Sequence, residues 1–261
     1  MTRPRLAAAP IIFILASACG APPHPALPTG TGVPFPGFSS AYEQATADCK
    51  SVSTITAEIG LSGRAGGTKL RGRINAGLAA PDDIVLEGLA PFGKPAFVLS
   101  GRAGEATLWL PRDERVLRGS PPAAIVEALA GVALTPAELR AVVAGCGLGV
   151  TVPVSGRTFN EDSAAVEAPT GPVYLRRVEG RWRVVAGVRD TLTIQYADFV
   201  AGRATTVFVR TAVADLTMRL SQVDINTPID PRAFDVEIPA SAQPLSLEEL
   251  RRAGPLGEKR E

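Results

Sequence analysis

Residues 54–78 read TITAEIGLSGRAGGTKLRGRINAGL. Ile55, Ala57, Ile59 and Leu61 alternate with Thr54, Thr56, Glu58 and Ser62. After Gly66-Gly67, Leu70, Gly72, Ile74, Ala76 and Leu78 alternate with Lys69, Arg71, Arg73 and Asn75. A period of two is the period of a strand, so this stretch predicts a β-hairpin with one wet face and one apolar face. An apolar sheet face must be buried against another layer. The rest of the chain therefore has to supply more strands and a cover.

Working outward, 84–89, 96–99 and 108–110 are apolar at neighbouring positions, with turns at Pro91-Phe92-Gly93 and Ala103-Gly104. Such strands touch apolar material on both faces or meet a partner at an edge. A strand over 113–118 extends the meander. Two helices follow: Ser120 reads as a cap before Pro121, with Gly131 as the stop, and Thr135 with Glu138 forms a capping box stopped by Gly145. Ile125, Val126 and Leu129 share one face, as do Leu139, Val142 and Val143. Strand patterns resume at 164–168, 172–178, 181–188, 191–199, 205–210 and 214–225, with a phase shift near Gln222 that predicts a bulge. Phe234, Val236 and Ile238 read as a last strand, and Ser246 with Glu249 opens a short helix ended by Gly254. Upstream, 39–50 reads as a helix with Ser40 and Glu43 at capping-box spacing. The tripeptide Ser-Gly-Arg at 62, 100 and 155 reads as turn chemistry.

The order is strands, helical hairpin, strands. The expected class is mainly β (α+β): a curved antiparallel sheet or open half-barrel, with the helices as a lid over an apolar cavity. The inner phase nominates Ile59, Leu61, Ile74, Leu86, Leu99, Ile125, Leu129, Val142, Val143, Ile194 and Met218. They either line that cavity or pack without a void. Trp109 and Trp182 read as packing residues, and Asp82-Asp83 and Glu161-Asp162 as turn residues. Arg71 and Arg73 lie on the polar face, open to solvent, an acidic carrier or lipid headgroups.

The chain start carries Arg3 and Arg5, an apolar run from Leu6 to Leu15, then Ala16-Ser17-Ala18-Cys19. The run is too short to span a membrane and reads as an export signal, residues 1–18. A small-residue run ending in Cys resembles a bacterial lipobox, which nominates Cys19 for acylation. Residues 19–38 are rich in Pro and Gly and read as a tether. The folded domain is then 39–254, and 255–261 a mobile charged tail. Cys49 and Cys146 either pair, as an oxidising compartment favours, or stay as buried thiols. Pairing would close a loop of about a hundred residues, worth about 4–5 kcal/mol.

Composition excludes several functions. The 27 Lys plus Arg against 26 Asp plus Glu lack the basic excess of a nucleic-acid binder. One histidine, His24, sits in the tether, remote from any core, which leaves no His-based triad. Three cysteines with no C-x-x-C offer no metal cluster. No G-x-S-x-G elbow is present. The expectation is a non-enzyme without cofactor or metal.

The stretch Leu86-Glu87-Gly88-Leu89-Ala90-Pro91-Phe92-Gly93 resembles the strand and tight loop of the LolB family. These outer-membrane lipoproteins receive lipoproteins from the periplasmic carrier LolA and insert them. The segment 123–145, with Ala130-Gly131 at its middle and Leu139-Arg140 beyond, is similar to the family's helical hairpin in order and spacing. Leu70-Arg71-Gly72-Arg73-Ile74 also fits. The match covers 41–146, while the ending 234–239 is more like the wider LolA-like lipid-binding superfamily. The resemblance implies a cavity for acyl chains of lipoproteins or other lipids, and a LolA-like carrier as partner. It also implies a membrane-insertion loop of Pro91, Phe92 and Gly93, with Phe92 where the family carries Leu. Gly20 lacks the Asp that retains lipoproteins at the inner membrane, so the implied location is the outer membrane, anchored through Cys19 and facing the periplasm. The competing class is a scaffold or assembly lipoprotein that binds a protein partner and transfers no lipid.

Overall fold

The computed structural model describes residues 24–90 and 95–255. The export segment, Cys19, the loop residues Pro91, Phe92 and Gly93, and the tail beyond Pro255 lie outside the described residues. The chain opens with β1 (Val33–Pro34) and α1 (Phe38–Lys50). A meander follows: β2 (Thr54–Ala65), β3 (Thr68–Ala79), β4 (Asp83–Leu89), β5 (Phe97–Arg102), β6 (Glu105–Leu110) and β7 (Arg115–Ser120). The helical hairpin is α2 (Pro122–Ala130) and α3 (Pro136–Ala144). A second meander comprises β8 (Ser155–Asn160), β9 (Ser163–Ala168), β10 (Gly171–Val178), β11 (Arg181–Arg189), β12 (Leu192–Val200), β13 (Arg203–Arg210) and β14 (Ala214–Ile225). A 3-10 turn (Pro231–Phe234), β15 (Gln243–Pro244) and α4 (Leu247–Ala253) end the fold.

All fifteen strands form one open sheet, with β1 at one margin and β15 at the other. Neighbours are antiparallel except β15 on β7. The quoted hairpin is its centre. Ile59 faces Ile74 and Leu61 faces Gly72 across β2 and β3, and β14 returns to β2 with Met218 opposite Leu61. Gly66 and Gly67 turn the hairpin at φ +53° and +79°, the doubly positive pair that a two-residue turn requires. The register of β14 on β2 breaks between Ser221 and Asp224, at the position where the apolar phase shifts.

The inner face is covered twice. The helix α1 packs on β8 to β11, while α2 and α3 lie over β2, β3 and β6. The helix caps follow the sequence only in part. Thr135 with Glu138 and Ser246 with Glu249 form the capping boxes their spacing predicts. The first helix starts earlier than expected, with Gly37 as its cap, so Ser40 falls inside the first turn and donates to the Gly37 carbonyl at 3.1 Å. Ser120 is the last residue of β7 and Pro121 takes the cap position of α2.

Three further expectations are corrected. The Ser-Gly-Arg tripeptides are not turns: all three lie in strands, β2, β5 and β8. Their glycines mark close approaches rather than reversals. A Cβ at Gly63 would meet the Asp215 carbonyl of β14, and one at Gly156 would meet Phe38. Phe234 to Ile238 is not a strand. This segment crosses the outer face of β4 and β5, with Phe234 buried and Arg102 stacked 5.6 Å from its ring centroid.

The segment read as a tether does not hang free over residues 24–36. His24 Nε2 lies 3.1 Å from Asp215, its ring sits 4.7 Å from that of Phe208, and Gln195 donates to the Pro25 carbonyl at 2.7 Å. Val33–Pro34 then pairs with β8. Prolines lack the amide that a strand must pair, so such a segment can lie along a sheet as a strap. The strap covers Phe208 and Gln195, outward residues that are nonetheless buried. His24 is thus not remote from the fold.

A disulfide joins Cys49 in the last turn of α1 to Cys146 just after α3, closing a separation of 97 residues. Cys49→Ser should lower the unfolding free energy by about 2–5 kcal/mol. Urea titration of the variant checks this, and the wild type under reductant should show the same shift.

Candidate functional site

Where the helical hairpin bridges the centre of the sheet, packing is incomplete. Between α2, the 131–134 turn, α3 and the inner face of β2, β3, β4, β5, β13 and β14 lies a cavity of about 120 Å³. Every lining residue is Ile, Leu, Val, Phe, Ala or Met, so the space presents no group that asks for water. Of the nominated residues, Ile59, Leu61, Ile74, Leu86, Leu129 and Met218 line it. Leu99, Ile125, Val142 and Ile194 do not: each is wholly buried in tight packing. Val143 lines a separate hollow of mixed character at the far end of α3, beside Leu220, Val223, Ile225, Arg203 and Thr205.

Nine lining residues escaped the sequence reading, among them Leu70, Phe97, Val132, Leu134 and Leu216. Leu70 and Leu216 share the inner phase with residues that were chosen, so strand parity could have found them. Val132 and Leu134 sit in the turn between helices, where no period applies.

One position in the inner row carries no side chain. Gly72 stands on β3 between the lining residues Leu70 and Ile74, is exposed, and a Cβ there would meet nothing within 4 Å. The 90–96 connection starts beside it, since Leu89 pairs with Arg73 and the Ala96 amide donates to the Gly88 carbonyl at 2.8 Å. Pro91, Phe92 and Gly93 themselves lie outside the described residues.

The hairpin is held unevenly. At its base the disulfide fixes Cys146, and buried Tyr196 donates to the Val142 carbonyl at 2.9 Å while accepting from the Gly147 amide at 3.0 Å. Burial pushes the Tyr196 phenol far above its ordinary value, so it stays a neutral donor. At the tip, Thr211 donates to the Gly131 carbonyl at 3.2 Å. Arg189 pairs with Glu138, and Arg140 donates to the Pro81 carbonyl at 2.9 Å. On α2, Arg251 approaches Glu127 at 3.5 Å with both side chains more than half exposed. Exposed pairs of this kind contribute about 0–1 kcal/mol. The base is thus clamped covalently, while the tip is held by noncovalent contacts, among them α4 packed on α2.

Fold and site together define an open antiparallel half-barrel whose helices close over a dry cavity. No family model and no curated protein matches the chain. In fold it is similar to a LolA superfamily protein from Nitrosomonas europaea, at 10% identity and a TM-score of 0.49, covering 76% of this chain and 96% of that one. It is also similar to a DUF1329 family protein from Desulfovibrio piger, at 9% identity and TM-score 0.47, covering 75% and 96%. Lipoprotein LppX from Mycobacterium tuberculosis aligns at 10% identity and TM-score 0.33, covering 75% and 98%.

Glu138 gives the lid a pH dependence. Burial raises its carboxyl, but the Thr135 amide and the Arg189 guanidinium outweigh that and hold it below the ordinary 4.5. A lowered folded pKa contributes stability above the ordinary value, and that contribution is lost as pH falls through the folded one. The melting temperature should therefore drop on acidification below about pH 4.5, and Glu138→Gln should flatten that part of the profile. A variant whose acid limb matches the wild type would remove Glu138 from the lid's support.

Proposed function

We propose that this chain is a lipid-handling lipoprotein of the bacterial envelope, anchored through Cys19. It accepts acylated cargo, lipoproteins from a LolA-like carrier, into the cavity under α2 and α3, and passes it to the outer membrane. It works by binding and release, with no covalent chemistry and no cofactor. The observation that carries this reading is a lining made only of hydrocarbon and thioether side chains. Such a lining suits an acyl chain, which has no polar group to satisfy.

The resting cavity is smaller than the roughly 300–1,000 Å³ of ordinary ligand pockets. Cargo therefore enters by lifting the noncovalently held tip of the hairpin while its base stays fixed. Val126, Leu129, Val132 and Leu134 would then trade contact with the sheet for contact with the chain. Transfer needs only a difference in affinity between carrier, cavity and membrane.

The small resting volume also favours a second reading, a scaffold lipoprotein that keeps its lid shut and binds a protein partner. Two measurements separate them. Lipid or lipopeptide should co-purify with the full-length protein under mild extraction, seen by mass spectrometry, and depletion should leave other lipoproteins in the wrong membrane. Empty protein that takes up no fluorescent fatty acid would leave the scaffold.

Gly72→Phe sharpens the test, with Gly72 taken as the way in: it stands between the lining residues Leu70 and Ile74, and a Cβ there meets nothing within 4 Å. It should leave the melting temperature near that of the wild type and weaken fatty-acid binding by about ten-fold or more, a loss of about 1.4 kcal/mol. Unchanged uptake in a folded Gly72→Phe variant would place the entry elsewhere.

A further inference from the structure

The outer face of the sheet is covered at two places by the chain's own ends. The 24–36 strap lies over β12 and β13 and reaches β8. The 231–245 segment crosses β4 and β5 and pairs with β7. Between them the outer rows of β14, β2 and β3 stay exposed, and those rows are cationic. Arg219, Gly60 and Arg73 stand in one row, Thr217, Ser62 and Arg71 in the next, and Asp215, Arg64 and Lys69 in the third. Arg210 of β13 stands opposite Asp215.

Six exposed cations thus share one face: Arg64, Lys69, Arg71, Arg73, Arg210 and Arg219. Two acids answer them weakly, Glu58 at 3.9 Å from Arg73 and Asp215 at 3.9 Å from Arg210. Asp215 also holds His24. The other four cations have no carboxylate partner within 4.0 Å among the described residues. The whole chain carries a formal net charge of only +1, so the excess is local.

His24 fixes where this face points. It is pinned to Asp215, at the end of the patch nearest the Gly66-Gly67 turn. Cys19 lies five positions before it, and five extended residue steps reach at most about 18 Å. We propose that the β14-β2-β3 outer face rests on the anionic headgroups of the leaflet that holds the Cys19 anchor. The inference rests on acylation of Cys19. An acyl anchor holds the domain at the bilayer, and a basic patch adds an electrostatic attraction to anionic headgroups. Each cation at a negatively charged leaflet contributes about five-fold to partition, about 1 kcal/mol. The outcome is an orientation: the strap prevents the domain from drifting to the end of a long leash and holds the hairpin end of the sheet near the bilayer.

The test uses full-length acylated protein reconstituted by its own anchor into phosphatidylcholine vesicles, with and without phosphatidylglycerol. Ser62→Cys puts a fluorophore in the middle of the patch, and Glu161→Cys puts one in the β8–β9 turn. Cys49 and Cys146 are bonded to each other, so the added thiol takes the label. A quencher on the lipid headgroup reads approach. The Ser62 probe should be quenched several-fold more with phosphatidylglycerol than without. High salt, or the exposed triple change Arg71→Gln, Arg73→Gln and Arg219→Gln, should erase the difference while the melting temperature holds. The Glu161 probe should stay unquenched in both. Equal quenching of the Ser62 probe in the two vesicles, or stronger quenching at 161, overturns the proposal and leaves the face to an acidic protein. Protein that enters neither vesicle removes the anchor and this inference with it. Fatty-acid binding by the Gly72→Phe pair is read in the same preparations and reports on the cavity independently.

Discussion

The sheet is apolar along its whole inner face and does not close on itself, so that face must be buried by something else. A closed barrel would fill its interior with its own side chains. Here α1 does that work over β8 to β11 and the α2–α3 hairpin does it over β2 and β3. The two covers are tied where they meet, by the Cys49–Cys146 disulfide and by Tyr196 bonding to both sides of the α3 end. Under α1 the fit is tight: Leu175 and Val166 are fully buried. Under the hairpin it is not, because two short helices cannot follow the curve of six strands, and the gap is the cavity.

How much of this was legible follows from which rules are local. Strand alternation depends on the residue's own neighbours, so β2, β3, β12 and β14 could be read directly, and the bulge at Gln222 announced itself as a phase change. Capping boxes are local too, and Thr135 and Ser246 gave correct helix starts. What failed was tertiary. Ser40 and Ser120 have the right chemistry for caps, but the helix starts are set by where Gly37 and Pro121 leave the sheet. The strand β8 has little apolar pattern because it lies near a margin, paired outward to only two residues. Ile125, Val142 and Ile194 have the same parity as true lining residues. Whether a buried side chain meets a void or another side chain depends on the opposing element, which no periodicity encodes.

The Pro-rich segment departs furthest from the sequence expectation, since residues 24–36 dock on the sheet. Proline content argues against regular structure, but it does not argue against docking. Extended backbone without amides can lie along a face that asks for cover, and Phe208 and Gln195 form such a face. The paired sheet margins benefit as well, since Val33–Pro34 on β8 and Gln243–Pro244 on β7 cap edges that would otherwise invite pairing with another chain. Proline in both outermost strands limits further addition.

Under the proposed function, a small resting cavity serves release as well as binding. Burying an acyl chain of a dozen methylenes yields about 10 kcal/mol against water. An always-open slot would keep that full gain and hold its cargo too tightly to release. In this fold the hairpin tip already buries Val126, Leu129, Val132 and Leu134 against the same strands. Each contact given up to admit cargo subtracts from the gain, so net affinity is the difference between two similar burials. The clamp at Cys146 and Tyr196 confines the cost to the tip. Weakening Thr211 or Glu138 at the tip should therefore tighten cargo binding, because less is lost on opening. Loosening the base should instead destabilise the whole inner face.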